Sequence, residues 1–235
     1  MVEQPTTAMV LAAGRGERMR PLTDRMPKPL LEVGGRSLIE RHIAKLAQAG
    51  FTRIIVNHAH LGDQIEAALG DGTRWGVTIC FSAEREALET AGGIGNALEL
   101  IDADAFAVTN SDVYSDYDYA GLSAASTRLA GNTKRLAHLV LVDNPAHNPH
   151  GDFGLENGEV TISATDNLTF SGLAAYRREL FASISPGDKK PLAPLLQQYI
   201  RAGRVSGEHF AGRWADIGTP ERLATINDLI EKETP

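Results

Sequence analysis

The chain has 235 residues with 23 Gly, 11 Pro and one Cys, and is 43% hydrophobic and 23% charged, which suits a globular protein with a sizeable core and excludes collagen-like, disulfide-scaffold and disordered chains. Lys plus Arg is 23 against 30 Asp plus Glu, so the net charge is −7 and the surface as a whole repels nucleic acid and anionic lipid. Any phosphate site must therefore be local.

The apolar run 9–13 ends at Gly14 and predicts a strand buried on both faces and stopped by a Gly-rich turn. Ser37 caps a predicted helix with Glu40 at the capping-box position, and Leu38, Ile39, Ile43, Leu46 and Ala47 recur at helical spacing until Gly50. A strand over 51–57, a short helix over 61–69 closed by Gly70, a strand over 78–82, a helix over 93–101 and a strand over 106–109 follow. That alternation predicts a mostly parallel α/β sheet with helices on both faces. Later, 139–142 and 170–176 read as strands, Asn157-Gly158 as a type I′ hairpin turn between 153–156 and 160–162, and 192–202 and 220–230 as helices. No internal repeat is present. Cys80, in Thr78-Ile79-Cys80-Phe81, reads as a buried, reduced small hydrophobe. Glu3 precedes any apolar run, there is no basic leader region, and no segment approaches the ~18 uncharged residues of a membrane span. A cytoplasmic protein is expected, with neither membrane nor nucleic acid among its partners.

Between the first strand and the first long helix lies Gly14-Arg15-Gly16-Glu17-Arg18-Met19-Arg20-Pro21-Leu22-Thr23, then Pro27-Lys28-Pro29. Paired glycines let backbone N–H groups approach an anion. Residues 15–36 carry six basic side chains against three acidic ones, a local charge of +3 in a chain of −7. Arg forks and a Lys stiffened by flanking prolines suit a polyphosphate. A P-loop is excluded because no Gly-Lys-Ser/Thr occurs, and a dinucleotide fingerprint because Met19 stands where the third Gly belongs and Asn57 where the acid belongs.

The string Leu11-Ala12-Ala13-Gly14-x-Gly16-x-Arg18-Met19-x-Pro21-Leu22-Thr23 with Pro27-Lys28-Pro29 resembles the signature of the sugar-1-phosphate nucleotidyltransferases. The resemblance continues through Glu89-Thr90-Ala91-Gly92-Gly93, Asn110-Ser111-Asp112 and Trp214-Ala215-Asp216-Ile217-Gly218-Thr219, across nearly the whole chain. It implies a single nucleotidyltransferase domain over 1–235, a Rossmann-like sheet, and an inserted hairpin shaping a sugar pocket. The strings Ile55-Val56-Asn57-His58-Ala59, 138–145, Gly151-Asp152-Phe153, 168–172 and 205–209 are similar to the branch that joins UTP to N-acetylmuramic acid 1-phosphate in bacterial cell-wall recycling.

The implied reaction is sugar 1-phosphate plus NTP giving NDP-sugar and pyrophosphate. The resemblance implies that Arg18 and Lys28 are catalytic, on the triphosphate and on the α-phosphate or sugar phosphate. Leu11, Ala13, Gly14, Gly16, Glu89 and Gly93 would complete the nucleotide site, Asn110, Asn144, Gly151, Asp152 and Thr169 the sugar site, and Asp112 and Asp216 would hold Mg²⁺. A monomer or small homo-oligomer is implied. Asp112 independently ends an apolar strand, where open α/β sheets build their sites. Two other readings remain open: a mannose- or glucose-1-phosphate nucleotidyltransferase using GTP, UTP or dTTP, and a metal-dependent glycosyltransferase built on Asp116-Tyr117-Asp118. His58 and His60 lack a third ligand at recognisable spacing for zinc, and Trp75 and Trp214 read as packing residues.

Overall fold

A computed structural model describes residues 6–162 and 165–233. Glu3 lies outside them. The strands are β1 (Thr7–Leu11), β2 (Glu32–Val33), β3 (Arg36–Ser37), β4 (Arg53–His58), β5 (Thr78–Ala83), β6 (Ala105–Asn110), β7 (Val113–Ser115), β8 (Ala137–Val142), β9 (Gly154–Glu156), β10 (Glu159–Thr161), β11 (Thr169–Arg177), β12 (Val205–Phe210) and β13 (Trp214–Asp216). The α-helices are α1 (Leu38–Gln48), α2 (Gly62–Leu69), α3 (Glu89–Asn96), α4 (Ala120–Ala130), α5 (Leu192–Arg201) and α6 (Pro220–Glu233).

Nine strands form one sheet in the order β5-β4-β1-β6-β11-β8-β12-β10-β9. The pairs β5–β4, β4–β1, β1–β6 and β8–β12 are parallel, whereas β11 runs antiparallel to both β6 and β8. Both faces are covered. Alternate residues of β1 divide between them: Met9 packs with Ile94 of α3 and Leu196 of α5, while Val10 packs with Ile43 of α1, Ile65 of α2 and Leu122 of α4. A third, smaller cluster joins Met19 of the glycine loop to Leu31, Val33 and Ile226 of α6. Met19, standing where a dinucleotide loop needs glycine, is the buried anchor that fixes this loop to the body.

Several boundaries differ from the sequence reading for physical reasons. The first strand covers Thr7–Leu11 and stops because the Ala12 N–H donates to the Asn57 side chain instead of to a neighbouring strand. Helix α3 begins four residues earlier than its apolar pattern suggests and carries three glycines. Tertiary contact explains them: a Cβ on Gly92 would lie 2.2 Å from the Asp188 carbonyl oxygen, and one on Gly95 would lie 2.5 Å from Ile184. The expected hairpin is present, with Asn157 and Gly158 both at positive φ (51° and 82°), at the outer edge of the sheet beyond β12. Cys80 is only half-buried, because β5 is an edge strand.

Candidate active site

A cleft of about 490 Å³ opens at the carboxyl ends of β1, β4 and β6. Leu11, Ala13, Gly14, Gly16, Arg18 and Lys28 line one side of it. Nothing lies within 4 Å of where a Gly14 Cβ would be, so this backbone faces open space; Gly16, at φ +70°, turns the chain back against Thr23, whose hydroxyl donates to the Gly16 carbonyl at 2.8 Å. Arg15 ties the same loop by donating to the Thr23 carbonyl at 2.7 Å, and pairs with Asp24, as does Arg20. The Arg20 guanidinium beside it holds the Asp24 carboxyl below its usual range. Two of the six basic side chains in the loop thus shape it, and Lys28 and Arg18 face the cleft.

Lys28 Nζ lies 2.5 Å from Asp112 Oδ2, with side chains 11% and 32% exposed. Asp112 follows β6 and precedes β7, and its carbonyl accepts from Ile217 N at 2.7 Å, so the antiparallel β7–β13 pair brings Asp216 to the neighbouring strand. Asp216 Oδ2 is 2.5 Å from the Arg222 guanidinium on α6, and Oδ1 is 3.0 Å from His147 Nε2. Arg18 joins them at Gly218, where an added Cβ would sit 2.9 Å from Arg222, 3.0 Å from Asp216 and 3.3 Å from Arg18. Two carboxylates and three cationic side chains therefore meet at one end of the cleft.

Glu89, Asn110 and Asp112 also line the cleft, as do Asn57, Glu84 and Lys189, which were not anticipated from the sequence. Glu89 holds φ +64°, a left-handed conformation that non-glycine residues keep where surrounding structure demands it. Gly93 lies behind the wall: a Cβ there would come within 2.7 Å of Asn57 Nδ2 and 2.8 Å of Glu84 Oε1. Those two buried side chains bond to each other at 2.6 Å, and Glu84 Oε2 accepts from Leu88 N, which orders the 84–89 turn. Gly172, at φ +79° in the irregular part of β11, brings its backbone against Asn110, where a Cβ would lie 2.6 Å from Nδ2.

Asn144, Gly151, Asp152 and Thr169 stand apart from this cleft and bind one another's neighbourhood. Asn144 donates to the Asn167 carbonyl at 2.8 Å and accepts from Thr169 Oγ1 at 2.8 Å, Gly151 abuts the Asn144 side chain, and Asp152 accepts from Phe170 N. They order the segment 143–152, and His147 of that segment is what reaches the cleft end, through Asp216. No spacing in the sequence signals His147 or Arg222.

Asp116 and Asp118 have structural partners. Asp116 pairs with Arg213 and Asp118 accepts from Ala120 N at the start of α4, and neither lines the cleft, which removes the basis for a glycosyltransferase reading. His58 pairs with Glu66 and His60 faces the Thr23 carbonyl; among the described residues no group of three His, Cys, Asp or Glu could hold a metal by itself.

The family model for nucleotidyl transferases matches residues 7–233. An N-acetylmuramate alpha-1-phosphate uridylyltransferase of Neisseria meningitidis serogroup B is 50% identical over 226 residues, covering 94% of this chain and 97% of that protein. A protein of the same description from Caulobacter vibrioides is 32% identical and covers 98% and 100%. A solved structure from Bacillus anthracis, assigned as a glucose-1-phosphate thymidylyltransferase, superposes with a TM-score of 0.82 at 22% identity over 96% of this chain and 95% of that one, a likeness of fold.

Proposed function

This chain belongs to the nucleotidyl transferase family, and from that premise we propose that it transfers a uridylyl group from UTP to N-acetylmuramic acid 1-phosphate, releasing pyrophosphate and forming a UDP-sugar for bacterial cell-wall recycling. The observation that carries the choice of substrates is the half-identity with the Neisseria protein along nearly the whole of both chains. The chain acts as a single nucleotidyltransferase domain.

A sugar-phosphate oxygen attacks the α-phosphorus of UTP in line with the departing pyrophosphate; one P–O bond forms and one breaks. The attacking oxygen is already ionised, so no general base is needed. The barrier comes from bringing two anions together, and charge neutralisation with alignment lowers it. We assign Lys28 to the α-phosphate and sugar phosphate, and Arg18 to the leaving pyrophosphate. Leu11, Ala13, Gly14 and Gly16 take the triphosphate and nucleoside through their backbone, with Glu89 beside them and Gly93 supporting the wall. Asn110 faces the sugar phosphate, and Asn144, Gly151, Asp152 and Thr169 order the segment that closes the sugar side.

Asp112 and Asp216 fit a Mg²⁺ ion: two hard carboxylates on adjoining segments beside the cleft, each now balanced by a protein cation, leaving further positions for phosphate oxygens and water. When bound, such an ion supplies charge neutralisation on the transferring phosphoryl group. Arg222 and His147 hold Asp216 in place.

No helix among the described residues is long and apolar enough to cross a membrane. We assign the enzyme to the cytoplasm, where its triphosphate is made, as a monomer or small homo-oligomer acting on small molecules alone. The test is pyrophosphate release with Mg²⁺, using UTP, dTTP, GTP, CTP and ATP each against N-acetylmuramic acid, N-acetylglucosamine, glucose and mannose 1-phosphates. Release with UTP and the muramic sugar is expected; a clear preference for another pair, or silence throughout, overturns the assignment.

A further inference from the structure

Among the described residues, the cationic side chains that line the cleft are Arg18, Lys28 and Lys189. Lys28 is bonded to Asp112, and Arg18 stands at Gly218 beside Asp216, the end assigned above to the leaving pyrophosphate. His147 and Arg222, at that same end, are both engaged by Asp216. Lys189 is the cation left over: its exposed side chain forms no hydrogen bond or ion pair among the described residues.

A merely solvated lysine needs no fixed backbone, yet the chain on both sides of Lys189 is clamped. Lys190 N donates to the Leu88 carbonyl and Gly92 N donates to the Lys190 carbonyl, each at 3.0 Å, and the Asp188 carbonyl oxygen lies 2.2 Å from where a Gly92 Cβ would be. Asp188 accepts from Ser185 N at 3.1 Å and pairs with Lys190 at 3.5 Å, so one of two adjacent lysines is tied to the turn and the other is left to the cleft. The segment is fastened to the first turn of α3, which begins at Glu89, and runs on into α5, which packs against α3, β10 and β12. Lys189 therefore enters the cleft at the seam between the wall at Glu89 and the later strands, where Asn144 follows β8 and Thr169 begins β11.

The acceptor proposed above differs from the 1-phosphates of glucose, mannose and N-acetylglucosamine in one charged group, the carboxylate of its lactyl ether. A carboxylate drawn into a cleft loses hydration that only a counter-charge repays. Glu84 and Glu89 line the same wall, so without a cation there this wall repels an anionic sugar. An ammonium on a flexible stem suits a carboxylate carried on a flexible ether, whereas the planar fork of arginine suits phosphates. We propose that Lys189 is a specificity-determining residue that pairs with the lactyl carboxylate of the acceptor. This rests on the reaction proposed above and adds the reason that this sugar is chosen over its neutral counterparts.

The test is equilibrium binding, by isothermal titration calorimetry, of two UDP-sugars that share the base, the ribose and both phosphates and differ by the lactyl group: UDP-N-acetylmuramic acid and UDP-N-acetylglucosamine. The wild type is expected to prefer the first by about 10-fold or more, the scale of one charge-assisted hydrogen bond. Lys189→Ala is expected to lose that preference by weakening the first sugar alone, and Lys189→Arg to keep it, with the melting temperature unchanged in both because the position is exposed. A preference that survives Lys189→Ala overturns the assignment of Lys189, and so does an equal loss for both sugars, which an ammonium bound to phosphate would give. Pyrophosphate release by the wild type separates the two readings. Turnover of N-acetylmuramic acid 1-phosphate without any preference between the UDP-sugars overturns Lys189 and leaves the reaction standing, whereas silence with that acceptor overturns both.

Discussion

Lys28 Nζ touches Asp112 Oδ2 at 2.5 Å although 84 residues separate them, so the glycine loop and the end of β6 are joined at the floor of the cleft by one ion pair. Replacing Lys28 by Ala removes a preorganised charge that the proposed reaction needs as negative charge gathers at the α-phosphate. The expected loss is about 2–4 kcal/mol of transition-state stabilisation, or roughly 30- to 1000-fold in kcat/KM. Steady-state kinetics with UTP and N-acetylmuramic acid 1-phosphate measure it, and an unchanged kcat/KM would remove Lys28 from the mechanism.

Asp112→Asn and Asp216→Asn keep the shape of each side chain while removing the charge. Each is expected to lower kcat by about 100-fold or more, with far-UV circular dichroism unchanged. Mn²⁺ binding in the presence of UTP, read by electron paramagnetic resonance, is expected to weaken in both. Normal Mn²⁺ affinity in either variant would exclude that carboxylate from the metal site.

Asn57 bridges two parts of the cleft wall, accepting from Ala12 N at 2.9 Å and donating to Glu84 Oε1 at 2.6 Å, and is 3% exposed. Asn57→Ala leaves a backbone donor and a buried carboxylate oxygen without these partners. A loss of about 2–4 kcal/mol in stability is expected, together with a raised KM for UTP. Urea unfolding and initial rates test the two halves separately; a midpoint within error of the wild type would show that water replaces the side chain.

His42 on α1 is fully enclosed, with Nδ1 2.7 Å from the Tyr119 hydroxyl, and burial pushes its pKa down from 6.5 to about 4. The sign follows from linkage: between these values the unfolded chain binds the proton and the folded one does not. The His42 contribution therefore leaves stability untouched above about pH 6.5 and is lost as pH falls towards 4, up to about 3 kcal/mol. Urea unfolding across that range should show a shallower pH slope for His42→Gln than for the wild type. Equal slopes would mean that His42 takes up its proton inside the fold.

Elements with a strong apolar period were legible, and those defined by contact were not. Helix α4 turns Leu122, Ala125, Ser126 and Leu129 inward, a stripe at helical spacing built half from small residues that hydrophobic periodicity does not register. Strand β12 alternates Val205 and Gly207 inward with Ser206 and Glu208, and a glycine in place of a second large apolar residue hides the strand; a Cβ at Gly207 would strike Val160 at 2.7 Å. Strands β7 and β13 have three residues each, too few for any period. In the site, Gly14, Gly16, Arg18, Lys28 and Asp112 could be found because they lie in contiguous strings. Asn57, Glu84, His147, Lys189 and Arg222 come to the cleft or its end only through the fold.

Residues Val142 and Thr169 are direct neighbours across the β8–β11 pair, so the chain departs and returns at the same point of the rim. Between them the residues 143–162 and 165–168 bear His147 and the β9–β10 hairpin, which is held a second time at β12 through Glu159 and Ser206 and by Arg135. Closing such a loop costs little more when it is lengthened, because the entropy grows only with the logarithm of its length. Lengthening or trimming the turn that bears His147, between Val142 and the β9–β10 hairpin, therefore leaves Lys28 in its loop and Asp112 just beyond β6 undisturbed, and makes the rim beside Asp216 a separately exchangeable part, open to evolution or to an engineer.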